Sequence, residues 1–152
     1  MYDDLIDKFH DRLRIALQNK IFNLPTDIKV EYAPISAYRA VDVNDIAEGG
    51  FNPEAFYSQV ELKYAHPNMR RFVDLDENDI ENYSCSLYTD IDKLNNYMHL
   101  PRKSKAVIFG KIISEEGVTK ENFQTTHVHW WLFQGVHEQI GDRFEVISYE
   151  KK

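Results

Sequence analysis

Two histidines one residue apart, His127 and His129, sit in the stretch Thr-His-Val-His-Trp-Trp-Leu-Phe. Alternate residues of an extended strand share a face. Both imidazoles therefore point the same way, with Trp131 and Phe133 following them. Two such imidazoles can hold a metal ion or act as an acid–base pair. A metal needs a third ligand, and His137 and Glu138 follow nearby in the chain. The plainer alternative is a strand buried on both faces, its histidines bonded to backbone or to neighbouring carboxylates.

Known frameworks for such a pair fit poorly. Cupins place a glycine shortly before it and a glutamate soon after, and neither spacing is present. Phosphoesterases with two His-x-Thr/Ser motifs need a second motif that this chain lacks. Zinc is accordingly not the expected cofactor, and His127 and His129 stand as the alternative metal pair. Cys85, the one cysteine, lies between two serines. No base stands close in sequence to activate it, so it reads as a small buried apolar residue. There is no Gly-x-Gly-x-x-Gly run, no Gly-x-x-x-x-Gly-Lys loop and no Gly-x-Ser-x-Gly elbow. The commonest nucleotide-binding and hydrolase signatures are absent with them.

Charge narrows the partners. The 152 residues carry 25 acidic and 18 basic side chains, a formal charge of -7, which repels phosphate backbones and argues against nonspecific nucleic-acid binding. Two short basic clusters, Arg70-Arg71 and Arg102-Lys103-Lys105, read as solvated surface. Asp74, Asp76, Glu77, Asp79 and Glu81 form the sharpest acidic run. As a calcium loop it fails, because Asp79 stands where the turn needs glycine and Cys85 where a bidentate glutamate belongs. It reads as a solvated loop, or else as an acidic patch for a basic protein partner. One cysteine excludes an internal disulfide framework. No apolar run reaches the ~20 residues of a membrane helix, and no signal peptide is expected, so a soluble, cytoplasmic protein is the expectation.

These residues need elements to position them. With 43% apolar residues, the length fits one domain, taken as 1–152. Leu5, Phe9, Leu13, Ala16, Leu17 and Ile21 recur three or four apart and predict one long amphipathic helix over 2–22. A sheet-containing core follows over 28–149. Its strands are expected at 28–32, 36–43, 83–88, 105–113, 125–133 and 143–149, with a short helix from Pro53 and another over 90–98. Residues 64–80 read as a long polar loop. The strand at 105–113 has a continuous apolar centre and is expected in the middle of the sheet. The order predicts an α+β fold: a mostly antiparallel or mixed twisted sheet with a long N-terminal helix.

Three pieces in order carry a resemblance. Tyr38-Arg39-Ala40-Val41 puts one arginine in an early apolar strand. Ser84-Cys85-Ser86-Leu87-Tyr88-Thr89 ends a strand before a helix and the strand Ala-Val-Ile-Phe-Gly-Lys-Ile. Arg143-Phe144-Glu145-Val146-Ile147 sets a glutamate before apolar strand residues. Together they resemble the arginine, serine, glutamate pattern of ADP-ribosyltransferase-like domains, over about residues 36–149. The resemblance implies NAD as cofactor, with Arg39 and Ser84 contacting it, Ser86 ordering the nicotinamide pocket and Glu145 steadying charge as the glycosidic bond breaks. Tyr88 or Trp131 would stack on a base. Cys85 stands where a threonine is usual, and Arg143 where many transferases carry a second Glu or Gln. These departures leave room for an NAD-cleaving hydrolase or an inactive relative.

Two classes of function remain. One is a nucleotide-binding, enzyme-like domain, which requires Arg39, Ser86 and Glu145 to share a cleft. The other is a non-catalytic acidic interaction module of the inhibitor or immunity type, which requires the acidic and aromatic side chains to form a continuous patch.

Overall fold

The computed structural model describes residues 3–48, 50–100 and 103–149. Eight strands form: β1 Ile35–Asp42, β2 Ile46–Ala47, β3 Gly50–Phe51, β4 Cys85–Tyr88, β5 Lys105–Ile112, β6 Gly117–Asn122, β7 His127–Leu132 and β8 Phe144–Tyr149. Six of them make one antiparallel sheet in the order β6-β7-β4-β1-β5-β8, and β2-β3 is a separate small hairpin. The four α-helices among the described residues are short: α1 Asp3–Ile6, α2 Asp11–Gln18, α3 Gln59–Ala65 and α4 Ile91–Met98.

The expected fold class is corrected on this point. The chain is dominated by its sheet, and there is no long N-terminal helix. The stretch over 2–22 breaks after Ile6 because Phe9 forms a bridge with Phe133. Gln134 N donates to Lys8 O at 2.7 Å, and His10 N donates to Leu132 O at 3.2 Å. Three residues of the expected helix thus spend their backbone extending the end of β7. The apolar stripe still goes inside: Leu5, Phe9, Leu13, Ala16 and Leu17 are buried against Trp131 and Val118, while Ile21 is exposed.

The remaining sequence elements move by smaller amounts. Residues 28–32 make only the bridge Lys29–Thr119. β6 was not expected, because its Thr-Lys-Glu-Asn run lacks an apolar alternation. Gly117 opens it at a place where a Cβ would run into the Trp131 carbonyl and the Trp130 indole, so only glycine fits this approach. β5 lies one strand in from the β8 edge, and the middle of the sheet belongs to β4 and β1.

That middle is thinly joined. β1 and β4 share one paired position, Tyr38 with Tyr88, whereas β1 and β5 pair over all eight residues of each. One face of the sheet carries Ala37, Val41, Cys85, Leu87, Ile108, Val128 and Trp130 into the main core with Phe56 and Phe144. On the other face, Tyr88 and Val107 pack beneath α4 through Leu94, with Tyr38 and Ala40 beside them. Among the described residues, no helix is long and apolar enough to cross a membrane.

Candidate functional site

The thin seam is where the sequence-marked residues gather. Tyr38 and Tyr88 face each other across it, so Arg39 and Ser86 lie just beyond the last paired position. The Arg39 guanidinium fills that gap. Its Nε donates to Ala55 O at 2.8 Å, Nη1 to Ser86 O at 2.8 Å and Nη2 to Tyr57 O at 3.3 Å. Three backbone carbonyls thereby take three of its five donors. Arg39 holds β1, β4 and the segment before α3 together, a role its strand position did not reveal.

A hollow of about 270 Å³ opens over this seam. Arg39, Ser84, Ser86 and Tyr88 all line it, together with Tyr57, Tyr97 and His127. Among the described residues, the ionisable side chains of its wall include three cations, Arg39, Arg71 and Lys105, and no carboxylate. A wider groove of about 780 Å³ continues from it, sharing Tyr88, Tyr97 and His127 and adding Lys93, Lys120, Glu81, His129 and a polar rim with Asn122 and Thr125.

Two expected site residues fall outside this wall. Glu145 is exposed on the edge strand β8, opposite Phe109. Phe109 is opposite Tyr38, and Tyr38 opposite Tyr88. Three strand spacings of about 4.8 Å put Glu145 roughly 14 Å from Tyr88. Trp131 is fully buried, its Nε1 donating to Ile80 O at 2.9 Å and its ring stacked on His129 with centroids 5.6 Å apart. Neither ring face is offered to a ligand.

The histidine pair does share a face, with ring centroids 4.4 Å apart. Burial, and then the neighbouring His129, hold the His127 imidazole well below its ordinary value, at about 4. Burial lowers His129 as well, with Lys120 acting in the same direction and Glu81 against it. His137 does not join them; it meets Glu61 and His10 instead. Among the described residues, no group of three His, Cys, Asp or Glu side chains is arranged to hold a metal ion.

A three-membered chain of polar groups lines the junction. The buried Ser84 hydroxyl donates to Glu81 O at 2.8 Å, and His129 Nδ1 lies 2.8 Å from the same Oγ. A hydroxyl has one proton. With that proton on the carbonyl, His129 Nδ1–H donates to Oγ, and the neutral ring carries its lone pair on Nε2. That nitrogen is 3.6 Å from Glu81 Oε2, which Lys120 Nζ also approaches at 3.6 Å. The Ser84 hydroxyl is thus committed to these two bonds, and His129 Nε2 and the Glu81 carboxylate border the groove.

Much of the acidic run is exposed, and two of its members cap their own turns. Asp76 and Asp79 accept backbone N–H groups of their own turns, and Glu77 binds Lys63 Nζ and Tyr64 Oη, each at 2.7 Å. The missed contributors, Arg71 and Lys105, come from the two basic clusters read as plain surface. Neither cluster signals in sequence that folding aims one member of each at the same hollow.

Family models, curated proteins and solved structures offer no match to this chain.

Proposed function

We propose that this chain binds a nucleotide, with an NAD-like dinucleotide as the favoured ligand, in the hollow and groove that cross the β1–β4 seam. The observation that carries this is the lining of the hollow: among the described residues, Arg39 and Arg71 stand in its wall and no carboxylate does, in a chain of net charge -7. A local positive wall in an acidic protein suits an anion. Tyr97, an exposed ring, stands beside it for a base to stack on. The Ser86 hydroxyl and the polar rim of the groove suit ribose. Arg39 serves by shaping the wall, and Arg71 takes the phosphates.

If glycosidic cleavage accompanies binding, its carboxylate is Glu81, which borders the groove, and not Glu145. The buried free thiol of Cys85 suits a reducing compartment, and we place the protein in the cytoplasm.

Thermal unfolding with NAD, ADP-ribose or plain ribose tests the proposal. A ligand at a hundredfold excess over its dissociation constant adds about 2.7 kcal/mol of stability. NAD and ADP-ribose are expected to raise the midpoint and ribose to leave it. Arg71→Ala and Tyr97→Ala, both at exposed positions, are expected to weaken the response. No shift with either nucleotide, or full shifts in both variants, would sink the proposal.

A further inference from the structure

A second cavity, of about 490 Å³, lies on the other side of Tyr57, which lines both it and the hollow over Arg39. Its charge is opposite in sign. Among the described residues, Asp11, Glu61 and Glu138 line it against a single cation, Arg12, apart from its two histidines. Glu61 forms its floor and is built in firmly. Its side chain and Ser58 make a reciprocal cap at the start of α3: Ser58 N donates to Oε1 at 3.0 Å, and Glu61 N donates to Ser58 Oγ at 3.2 Å. His137 Nε2 donates to Oε1 at 3.3 Å and lies 3.0 Å from Oε2. Gly135, at φ +85°, takes the left-handed conformation that turns the chain toward His137. Burial works to raise the Glu61 pKa, but the hydrogen bonds from His137 and from the Ser58 backbone overcome it and hold the carboxyl below its ordinary value. The carboxylate is ionised.

His10 supplies an independent observation. It is 3% exposed, and its Nε2 is 3.1 Å from the carbonyl oxygen of Tyr83. A carbonyl only accepts, so Nε2 carries the proton. Burial, opposed by Glu61, holds the ring below its ordinary pKa, and it is neutral. Nδ1 therefore bears a lone pair. It has no hydrogen-bond partner, and it faces Glu61 Oε2 at 3.6 Å. Two buried acceptors stand opposite each other with no donor between them, an arrangement that costs free energy until a donor arrives. The cavity walls also suit a cation. Tyr57 and Tyr64 line it, and the Arg12 guanidinium already lies 3.7 Å from the Tyr64 ring centroid.

We infer that this cavity binds an organic ammonium ion, its N–H groups donating to Glu61 Oε2 and His10 Nδ1 and its carbon body lying against Tyr57 and Tyr64. An ammonium fits better than a guanidinium. A compact charge with three donors can span two acceptors 3.6 Å apart, whereas a flat fork matches a single carboxylate. The ring face that a flat cation would use is already taken by Arg12. The inference is independent of nucleotide binding, since the two cavities have opposite charge and share only Tyr57.

Benzylamine, protonated at neutral pH, is the probe, and benzyl alcohol its neutral counterpart. The readout is the imidazole ¹⁵N resonances of the full labelled chain. Benzylamine is expected to move the His10 Nδ1 resonance saturably, and benzyl alcohol to leave it in place. Glu61→Gln is expected to weaken binding roughly tenfold or more, the scale of losing a charge-assisted hydrogen bond. Tyr64→Leu, at a half-exposed ring, keeps the test open if Glu61→Gln does not fold, and is expected to weaken binding several-fold. A purely structural His10–Glu61–His137 cluster predicts no saturable shift, and that result overturns the inference. So does an equal response to benzyl alcohol, undiminished affinity in Tyr64→Leu, or a response to zinc alone.

Discussion

Arg39 donates to the carbonyl oxygen of Ser86 at 2.8 Å, just past the one position at which β1 and β4 pair. The guanidinium does there what a longer ladder would do elsewhere, and it reaches Ala55 and Tyr57 with its other donors. Arg39→Ala strands three carbonyls at a partly buried site. Urea unfolding is expected to show a loss of about 2–3 kcal/mol, since each unmet acceptor costs roughly 1 kcal/mol or more. Arg39→Lys should recover little of it, because an ammonium lacks the fork that reaches three directions. Unchanged stability in Arg39→Ala would leave the seam to be explained otherwise.

Glu145 offers the reverse case. It is exposed on an edge strand and stands apart from the hollow. Glu145→Gln is expected to leave both the stability and the nucleotide response of the protein unchanged within error, while Glu81→Gln alters the response. Calorimetric titration of the two variants side by side distinguishes them. A Glu145→Gln variant that loses binding would restore the role that its sequence context implied.

Acid should destabilise the protein through its interior histidines. His127 titrates at about 4 in the folded chain, with burial the main cause. A histidine in the unfolded chain titrates near 6.5. The folded value is the lower one, so the unfolded chain binds the proton more readily. The stabilisation is complete above about 6.5 and is lost as the pH falls from there toward 4. His10, also lowered, acts in the same direction. Each such group contributes a slope of at most about 1.4 kcal/mol per pH unit. Denaturation midpoints measured between pH 7 and 4 should fall, and His127→Gln should flatten the fall.

Cys85 is 1% exposed, and burial raises its thiol to about 11. Iodoacetamide at neutral pH is expected to label the native protein far more slowly than the urea-unfolded chain, because the thiolate is both scarce and enclosed. Fast native labelling, followed by mass spectrometry, would contradict the packing of β4.

Gly117→Ala tests the entry to β6. The added methyl meets the Trp131 carbonyl and the Trp130 indole together, and neither is the free end of a flexible side chain. Overpacking of this kind costs about 1–3 kcal/mol, read as a lower melting midpoint. Gly50→Ala, where a Cβ meets nothing within 4 Å, should change the midpoint little and serves as the control.

The sequence announced burial better than continuity. Leu5, Phe9, Leu13, Ala16 and Leu17 all lie inside, as their spacing requires, yet the helix they describe is interrupted. The interruption comes from Phe133, more than a hundred residues away, and no local pattern encodes that partner. β6 escaped notice for a related reason. Thr119 is fully buried, and polar residues surround it in the chain, so the strand exists through its neighbours Trp130 and His129 and not through its own periodicity. At the site, Ser84, Ser86, Tyr88 and Arg39 could be named from their strands. Arg71, Lys105 and Tyr97 reach the same hollow from a turn, a strand start and a helix, and their convergence is a property of the topology alone.

That topology also dictates an order of events. The seam between β1 and β4 divides the sheet into two three-stranded halves, β6-β7-β4 and β1-β5-β8, whose strands interleave along the chain. On a ribosome, β1 emerges first but waits about seventy residues for β5, and its half is unfinished until residue 149. The other half needs residues through 132. Neither can close early around local contacts, so folding should be slow for a chain of this size and dominated by distant loop closures. Between synthesis and closure, β1 and β4 spend their time as unsatisfied edges, the period in which a chaperone would have most to do.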